Sequence, residues 1–249
     1  MIKVVILGAG NLATHLCIAL EKHTKILLLQ NFNRKGEKIL NCGVPVTNNP
    51  DEITDADLYI FAISDNALLD INNNFSHLKG LVVHTSGSTP MDVLSNFNRK
   101  GVFYPAQSFN KHLPVSFDTI PIAVEASNKS DQQILLKLAH SISTTVYVLN
   151  SEQRNALHVA AVFANNFSNF MYIQAEEICK DSGIDFTILK PLINETIAKL
   201  ANNSPRNVQT GPAVRKDNKT IERHITTLTD QKKIKLYQLL TTAIQNYYE

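Results

Sequence analysis

Short runs of aliphatic and β-branched residues recur through the first 150 positions: Ile2–Leu7, Lys25–Gln30, Leu58–Ile63, Leu81–His84, Gly101–Tyr104, Pro121–Glu125 and Thr145–Leu149. Stretches with helical spacing of apolar residues lie between most of them. Nearly continuous apolar strands alternating with helices predict a mainly parallel, doubly wound α/β sheet, because each crossover lays a helix against a sheet face. The later strands either extend that sheet or pair antiparallel. From Ser151 onward the strand signal stops and helical periodicity takes over, over Ser151–Lys180, Phe186–Asn202, Thr220–Leu228 and Asp230–Tyr248. Breaks fall at Ser182-Gly183 and between Ser204-Pro205 and Gly211-Pro212. The change predicts two domains, 1–150 and 151–249, with Asn150-Ser151-Glu152 placed to cap the first long helix. In the last two helices Ile221, Ile225, Leu228, Ile234, Leu236, Leu239, Leu240, Ile244 and Tyr247 mark an apolar face. A helical domain this small leaves part of such a face to bury, and two-fold pairing is the commonest solution, so a homodimer is expected.

The first strand runs directly into Gly8-Ala9-Gly10-Asn11-Leu12-Ala13, which opens a helix-like run to Leu20. That order suits a dinucleotide: Gly8 permits the tight turn, Gly10 lets backbone approach a pyrophosphate, and Ala13 keeps the helix close to the strand. A tight turn with no ligand would give the two glycines no such purpose. The second strand ends near Asn33-Arg34. An NAD site places an acidic residue there for the ribose hydroxyls. Here Gln30, Asn31, Asn33, Arg34 and Lys35 occupy the region without a carboxylate. A planar cation at Arg34 suits a 2′-phosphate, which favours NADP over NAD. Arg34 and Lys35 on a solvated surface turn, with Glu37 as partner, are the competing reading; it leaves the missing carboxylate unexplained.

Two further strand ends deliver small and polar residues where open α/β sheets bind ligands. Ala62, Ile63, Ser64 and Asp65 are expected along the ribose and diphosphate, although Ser64 suits a helix cap equally well. His84, Ser86 and Gly87 are expected beside the nicotinamide. The surrounding His84-Thr85-Ser86-Gly87-Ser88 lacks the G-x-S-x-G pattern, so Ser86 is not read as a hydrolase nucleophile.

At 249 residues, 44% hydrophobic and with a formal charge of +2, the chain reads as soluble and globular, with neither a nucleic-acid footprint nor an acidic tail. The opening apolar run is too short for a secretory core, and no later run reaches the length of a membrane span. Cys17, Cys42 and Cys179 are odd in number and far apart, which points to reduced thiols and a cytoplasmic setting. The eight histidines show no ligand spacing, so no metal is expected.

Several segments together resemble one family: Gly8 to Ala13, His84 to Gly87, Tyr104-Pro105-Ala106-Gln107-Ser108-Phe109, Leu157-His158-Val159-Ala160-Ala161 with Asn165-Asn166, and Thr210-Gly211-Pro212-Ala213-Val214-Arg215-Lys216-Asp217 with His224. It is the Rossmann-like NADP oxidoreductase family whose helical C-terminal domain has no assigned function, the DUF2520 type. The N-terminal half is also similar to pyrroline-5-carboxylate reductase and the deazaflavin-dependent NADP oxidoreductases, and the helical half to the C-terminal domain of the 6-phosphogluconate dehydrogenase superfamily. Lys216 stands where the family commonly has Gly, in a turn where glycine tolerates positive φ and lysine does so poorly.

The resemblance implies architecture and cofactor but no particular substrate. In the related dehydrogenases the first long C-terminal helix carries a Lys and an Asn into a cleft between the domains. Here it offers Arg154, His158, Asn165, Asn166 and Asn169 and no lysine. His158, Val162, Asn165 and Asn169 share one helical face by spacing. On this reading His158 protonates the atom that gains charge during hydride transfer, and Asn165 or Asn166 orients a small keto, hydroxy or imino substrate. A helical His among alanines is otherwise a hydrogen-bonded core residue. Arg215 suits a substrate carboxylate, as does Ser86 a substrate polar group; Arg215 with Asp217 equally suits bracing of the loop. The alternatives to an NADP-dependent enzyme are a non-catalytic NADP-binding sensor or scaffold, and a deazaflavin reductase, which would need a broad apolar slot.

Overall fold

The computed structural model describes residues 1–70 and 74–249, and its first compact unit runs from Met1 to Asn166. Eight strands form one sheet: β1 (Ile2–Leu7), β2 (Ile26–Phe32), β3 (Val46–Thr47), β4 (Leu58–Phe61), β5 (Leu81–His84), β6 (Lys100–Pro105), β7 (Ile122–Ala126) and β8 (Val146–Val148), in the order β3-β2-β1-β4-β5-β6-β7-β8. The first six follow the doubly wound 3-2-1-4-5-6 order of dinucleotide-binding sheets. Neighbours run parallel except for β6 and β7, which pair antiparallel from Gly101↔Ala126 to Pro105↔Ile122. Of these strands only β3, two residues long, carries no apolar run in the sequence.

The apolar runs are continuous because both sheet faces are covered. Val4 and Ile6 of β1 join Leu58, Ile60, Leu81 and Val83 in a core on one face. That core is closed by α1 (Asn11–Glu21) through Ala13, Leu16, Cys17 and Leu20, and by α3 (Lys129–Ile142) through Leu135, Leu138 and Ala139. Val5 and Leu7 point the other way and pack with Phe32, Tyr59, Phe61, Leu68, Val82, Leu94 and Phe97. Alternation along β1 therefore separates two cores, and each fully buried aliphatic or aromatic side chain contributes about 1.5–3 kcal/mol. Between them α2 (Asp65–Leu68) follows β4.

Helix α4 (Ser151–Ala161) begins with the expected cap: the Asn150 side chain accepts from the Gln153 N–H, and the Gln153 side chain accepts from Asn150 in return. It belongs to the first unit, so that unit extends past the change of periodicity near residue 150. The reason is Arg154, 1% exposed, whose Nη2 donates to Glu125 Oε2 of β7 at 3.2 Å and fastens the helix to the sheet. The long helix expected over Ser151–Lys180 is interrupted by a π-helical turn at Val162–Phe167 and resumes as α5 (Ser168–Asp181).

The second unit, Phe167–Glu249, is helical. After α5 come α6 (Lys190–Leu200), α7 (Pro205–Val208), α8 (Asn218–Thr227) and α9 (Gln231–Tyr247). Asp217 and Asp230 cap α8 and α9 with their side chains. Lys216 adopts φ +53°, the left-handed conformation that a glycine takes without strain. Its ammonium lies 3.2 Å from Glu249. No helix among the described residues is long and apolar enough to cross a membrane.

Candidate nucleotide cleft

The carboxyl ends of β1, β2, β4, β5 and β6 open on one cleft of about 940 Å³, whose lining comes wholly from the first unit. Gly8, Ala9, Gly10, Asn11 and Leu12 form its floor. Ala13 is fully buried in the core beneath, which seats α1 against the sheet. Gly8 has φ +127°, and a Cβ there would stand 2.2 Å from the Ala62 carbonyl oxygen, so the turn excludes any side chain. A Cβ on Gly10 would meet nothing within 4 Å. The turn is tied to β2 by Asn31, which is fully buried and donates from Nδ2 to the Gly8 carbonyl at 2.8 Å and the Ile6 carbonyl at 3.1 Å.

At the end of β2, Asn33 and Arg34 both line the cleft. Asn33 is buried and spends its side chain on its own loop, donating to the Glu37 carbonyl at 2.9 Å and accepting from the Glu37 N–H at 3.1 Å. Lys35 pairs with Glu37 at 3.5 Å, both well exposed. Arg34 is exposed and has no ion-pair partner among the described residues. No carboxylate stands between β2 and Gly36.

Ala62, Ile63, Ser64 and Asp65 line the next stretch. Ser64 occupies the N-cap of α2 but makes no side-chain cap bond. Asp65 accepts from the Ser88 hydroxyl at 2.9 Å. Beyond β5, Thr85, Ser86 and Gly87 reach the cleft whereas His84 does not: it is fully buried at the strand end, where its Nδ1 accepts from the Ser86 N–H at 3.2 Å. Burial, with the Arg154 charge nearby, pushes the His84 imidazole down to about 4, so it is neutral near pH 7. The Ser86 hydroxyl is likewise committed to its loop, donating to Thr89 Oγ1 at 2.9 Å and accepting from the Ser88 and Thr89 N–H groups. Arg154 fixes the same loop from below by donating to the carbonyls of Ser86 and Gly87, each at 2.9 Å.

His158 lines the cleft next to Gly87 and Tyr104. Its Nδ1 lies 3.1 Å from the Tyr104 hydroxyl. Asn165 and Asn166 are exposed and absent from the lining, and the π-helical turn that holds them, winding more residues per turn, takes Asn165 off the face it was expected to share with His158. Arg215 is exposed in the second unit. Tyr104, Gln107 and Lys111 also line the cleft, without an expectation from the glycine-loop pattern. Tyr104 and Gln107 belong to the Tyr104-to-Phe109 segment singled out by family resemblance alone. Lys111 arrives because its N–H donates to Asn11 Oδ1 at 3.2 Å while the Asn110 carbonyl bonds His15 Nε2 at 2.9 Å.

Residues 120–244 match a family described as a domain of unknown function, DUF2520. A solved structure from Bacteroides fragilis, described as a putative NADP oxidoreductase, is 37% identical, with a TM-score of 0.91 and 98% of each chain covered. A protein from Thermotoga maritima superposes with TM-score 0.73 at 20% identity, over 98% of each chain. The Plasmodium falciparum pyrroline carboxylate reductase with NADP bound gives 0.64 at 11%, again over 98% of each chain. The last two likenesses speak for the Rossmann-like fold. Among curated proteins none matches.

Proposed function

The chain belongs to the DUF2520 family, and from that premise we propose that it is an NADP-dependent oxidoreductase acting on a small polar keto, hydroxy or imino substrate. The observation that carries this is a floor shaped for a diphosphate, with open space over Gly10, beside an Arg34 that has no ion-pair partner among the described residues and with no carboxylate between β2 and Gly36. On this reading the backbone from Gly8 to Leu12 holds the diphosphate, Arg34 takes the 2′-phosphate, and Ala62 to Asp65 follow the ribose. Thr85, Ser86 and Gly87 flank the nicotinamide by their backbone, since the Ser86 hydroxyl is already used. When bound, the cofactor supplies the hydride. His158 holds the proton for the substrate oxygen or nitrogen, and the walls around Gly87 orient it. We also propose that the chain works as a homodimer.

Fluorescence titration with NADPH and NADH, wild type against Arg34→Ala, tests the cofactor assignment. NADPH is expected to bind at roughly micromolar concentration, the variant to lose about tenfold for NADPH, and NADH to be unaffected. Absence of a saturable NADPH signal overturns the reading. Turnover is checked by NADPH oxidation against a panel of 2-oxo acids and cyclic imines. Tight NADPH binding with no turnover on any of them would favour a non-catalytic NADP-binding sensor.

A further inference from the structure

Tyr104 touches the imidazole of His158 in the cleft lining, and nothing in the glycine-loop chemistry gives it a role. It lies on β6, is 8% exposed, and its hydroxyl sits 3.1 Å from His158 Nδ1, with the two rings edge to face at 6.0 Å between centroids. Gly87 closes the same side of the imidazole: a Cβ there would stand 2.5 Å from His158 Nδ1 and 2.9 Å from Tyr104 Cζ. That wall cannot move freely, because buried Arg154 grips the Gly87 and Ser86 carbonyls. Burial pushes the Tyr104 phenol up, against a smaller opposing pull from Arg154, so it remains an O–H near neutrality.

We propose that Tyr104 is a positioning residue, which by engaging Nδ1 of His158 leaves Nε2 as the ring nitrogen presented to the substrate. This rests on the oxidoreductase reading above. A phenol hydroxyl both donates and accepts, so it serves both charge states of the ring. In neutral His158 the O–H donates to Nδ1 and the ring proton sits on Nε2. In the imidazolium, Nδ1–H donates to the phenol oxygen and Nε2–H faces the cleft. During reduction the incoming hydride pair forms the new C–H bond and the C=O or C=N π pair moves to the heteroatom. The heteroatom takes the proton from Nε2, the N–H pair stays on Nε2, and the ring is left neutral with Nδ1–H on Tyr104. Water then restores the Nε2 proton.

The test is ring ¹⁵N–¹H correlation spectroscopy of histidine-labelled protein, with the His158 signals assigned by their loss in His158→Asn. In wild type the neutral ring is expected to show the Nε2–H tautomer with a hydrogen-bonded Nδ1. Tyr104→Phe keeps the ring packing and removes the hydroxyl. It is expected to move the Nδ1 resonance towards a free acceptor and to populate the Nδ1–H tautomer, while the other histidine signals stay in place. Unchanged His158 ring shifts in Tyr104→Phe would overturn the proposal. So would a loss of NADPH affinity of about tenfold or more, which would make Tyr104 a cofactor ligand instead. With any substrate that turns over, the variant should lose about 10–100-fold in kcat with KM nearly unchanged. Failure of wild type to bind NADPH would sink the oxidoreductase reading alone, since the ring shifts still decide the role of Tyr104.

Discussion

Two glycines two positions apart do different work, and single methyl groups separate them. At Gly8 an alanine meets the Ala62 carbonyl at 2.2 Å and must hold φ +127°. Gly8→Ala is therefore expected to cost roughly 2–4 kcal/mol in denaturant unfolding, from overpacking and backbone strain together. At Gly10 the same methyl meets nothing, and the position is the N-cap of α1. Gly10→Ala should cost only about 1 kcal/mol of stability, as a poorer cap, yet weaken NADPH by about tenfold or more because the methyl enters the space meant for the diphosphate. Equal loss of stability in both variants would contradict this division. His84 carries a second prediction at the same scale. Its ordinary value of 6.5 falls to about 4 in the folded chain, first through burial and then through Arg154. Between those values the unfolded chain binds a proton that the folded chain refuses, so stability is full above about pH 6.5 and falls as pH drops towards 4. The loss attributable to this group is at most about 3 kcal/mol. His84→Asn, whose side-chain oxygen can still accept from the Ser86 N–H, should flatten that slope in unfolding midpoints measured across the range.

At the scale of elements, the strands with long apolar runs were legible because burial on both faces demands such runs, and the start of α4 because Asn150 is a capping residue. Strand β3 escaped notice since two residues, Val46 and Thr47, carry no period. The glycine loop, Arg34 and the end of β4 line one cleft, as their place after strand ends led one to expect, because an open α/β sheet gathers its loops at the carboxyl ends of its strands. What stayed hidden depends on packing between distant segments. His84 sits at a strand's carboxyl end like a ligand residue, yet the chain above it folds over and buries it. Arg154 looked like a polar group for a cleft, and Glu125, distant in sequence, claims it instead. The face shared by His158 and Asn165 assumed 3.6 residues per turn, and the π-helical turn at Val162–Phe167 cancels that phase. Tyr104 enters the cleft from β6, and no spacing rule links it to the helix that brings His158.

At the scale of the molecule, the second unit poses a problem of burial. Among its residues only Cys179, Ala213 and Ile221 are buried, while Ile188, Leu192, Ile197 and Leu239 are each more than half exposed. Each such side chain forgoes about 1.5–3 kcal/mol that burial would supply. Under the homodimer proposal these side chains are covered by a second copy of the chain related by a two-fold axis, the commonest way to bury such a surface. Leu192 lies in the first turn of α6 and Ile188 four residues earlier, in the 3-10 turn Phe186–Leu189 that leads into it. Light scattering after size separation is expected to give twice the chain mass for wild type. Ile188→Asp combined with Leu192→Asp should give the single-chain mass, or a dimer that dissociates on dilution, and a lower unfolding temperature. Because the lining of the nucleotide cleft comes from the first unit alone, NADPH affinity in that double variant should stay within about threefold of wild type, which keeps loss of assembly distinct from loss of folding. A wild-type chain that runs as a monomer at every concentration would leave the exposed face of the second unit to some other partner.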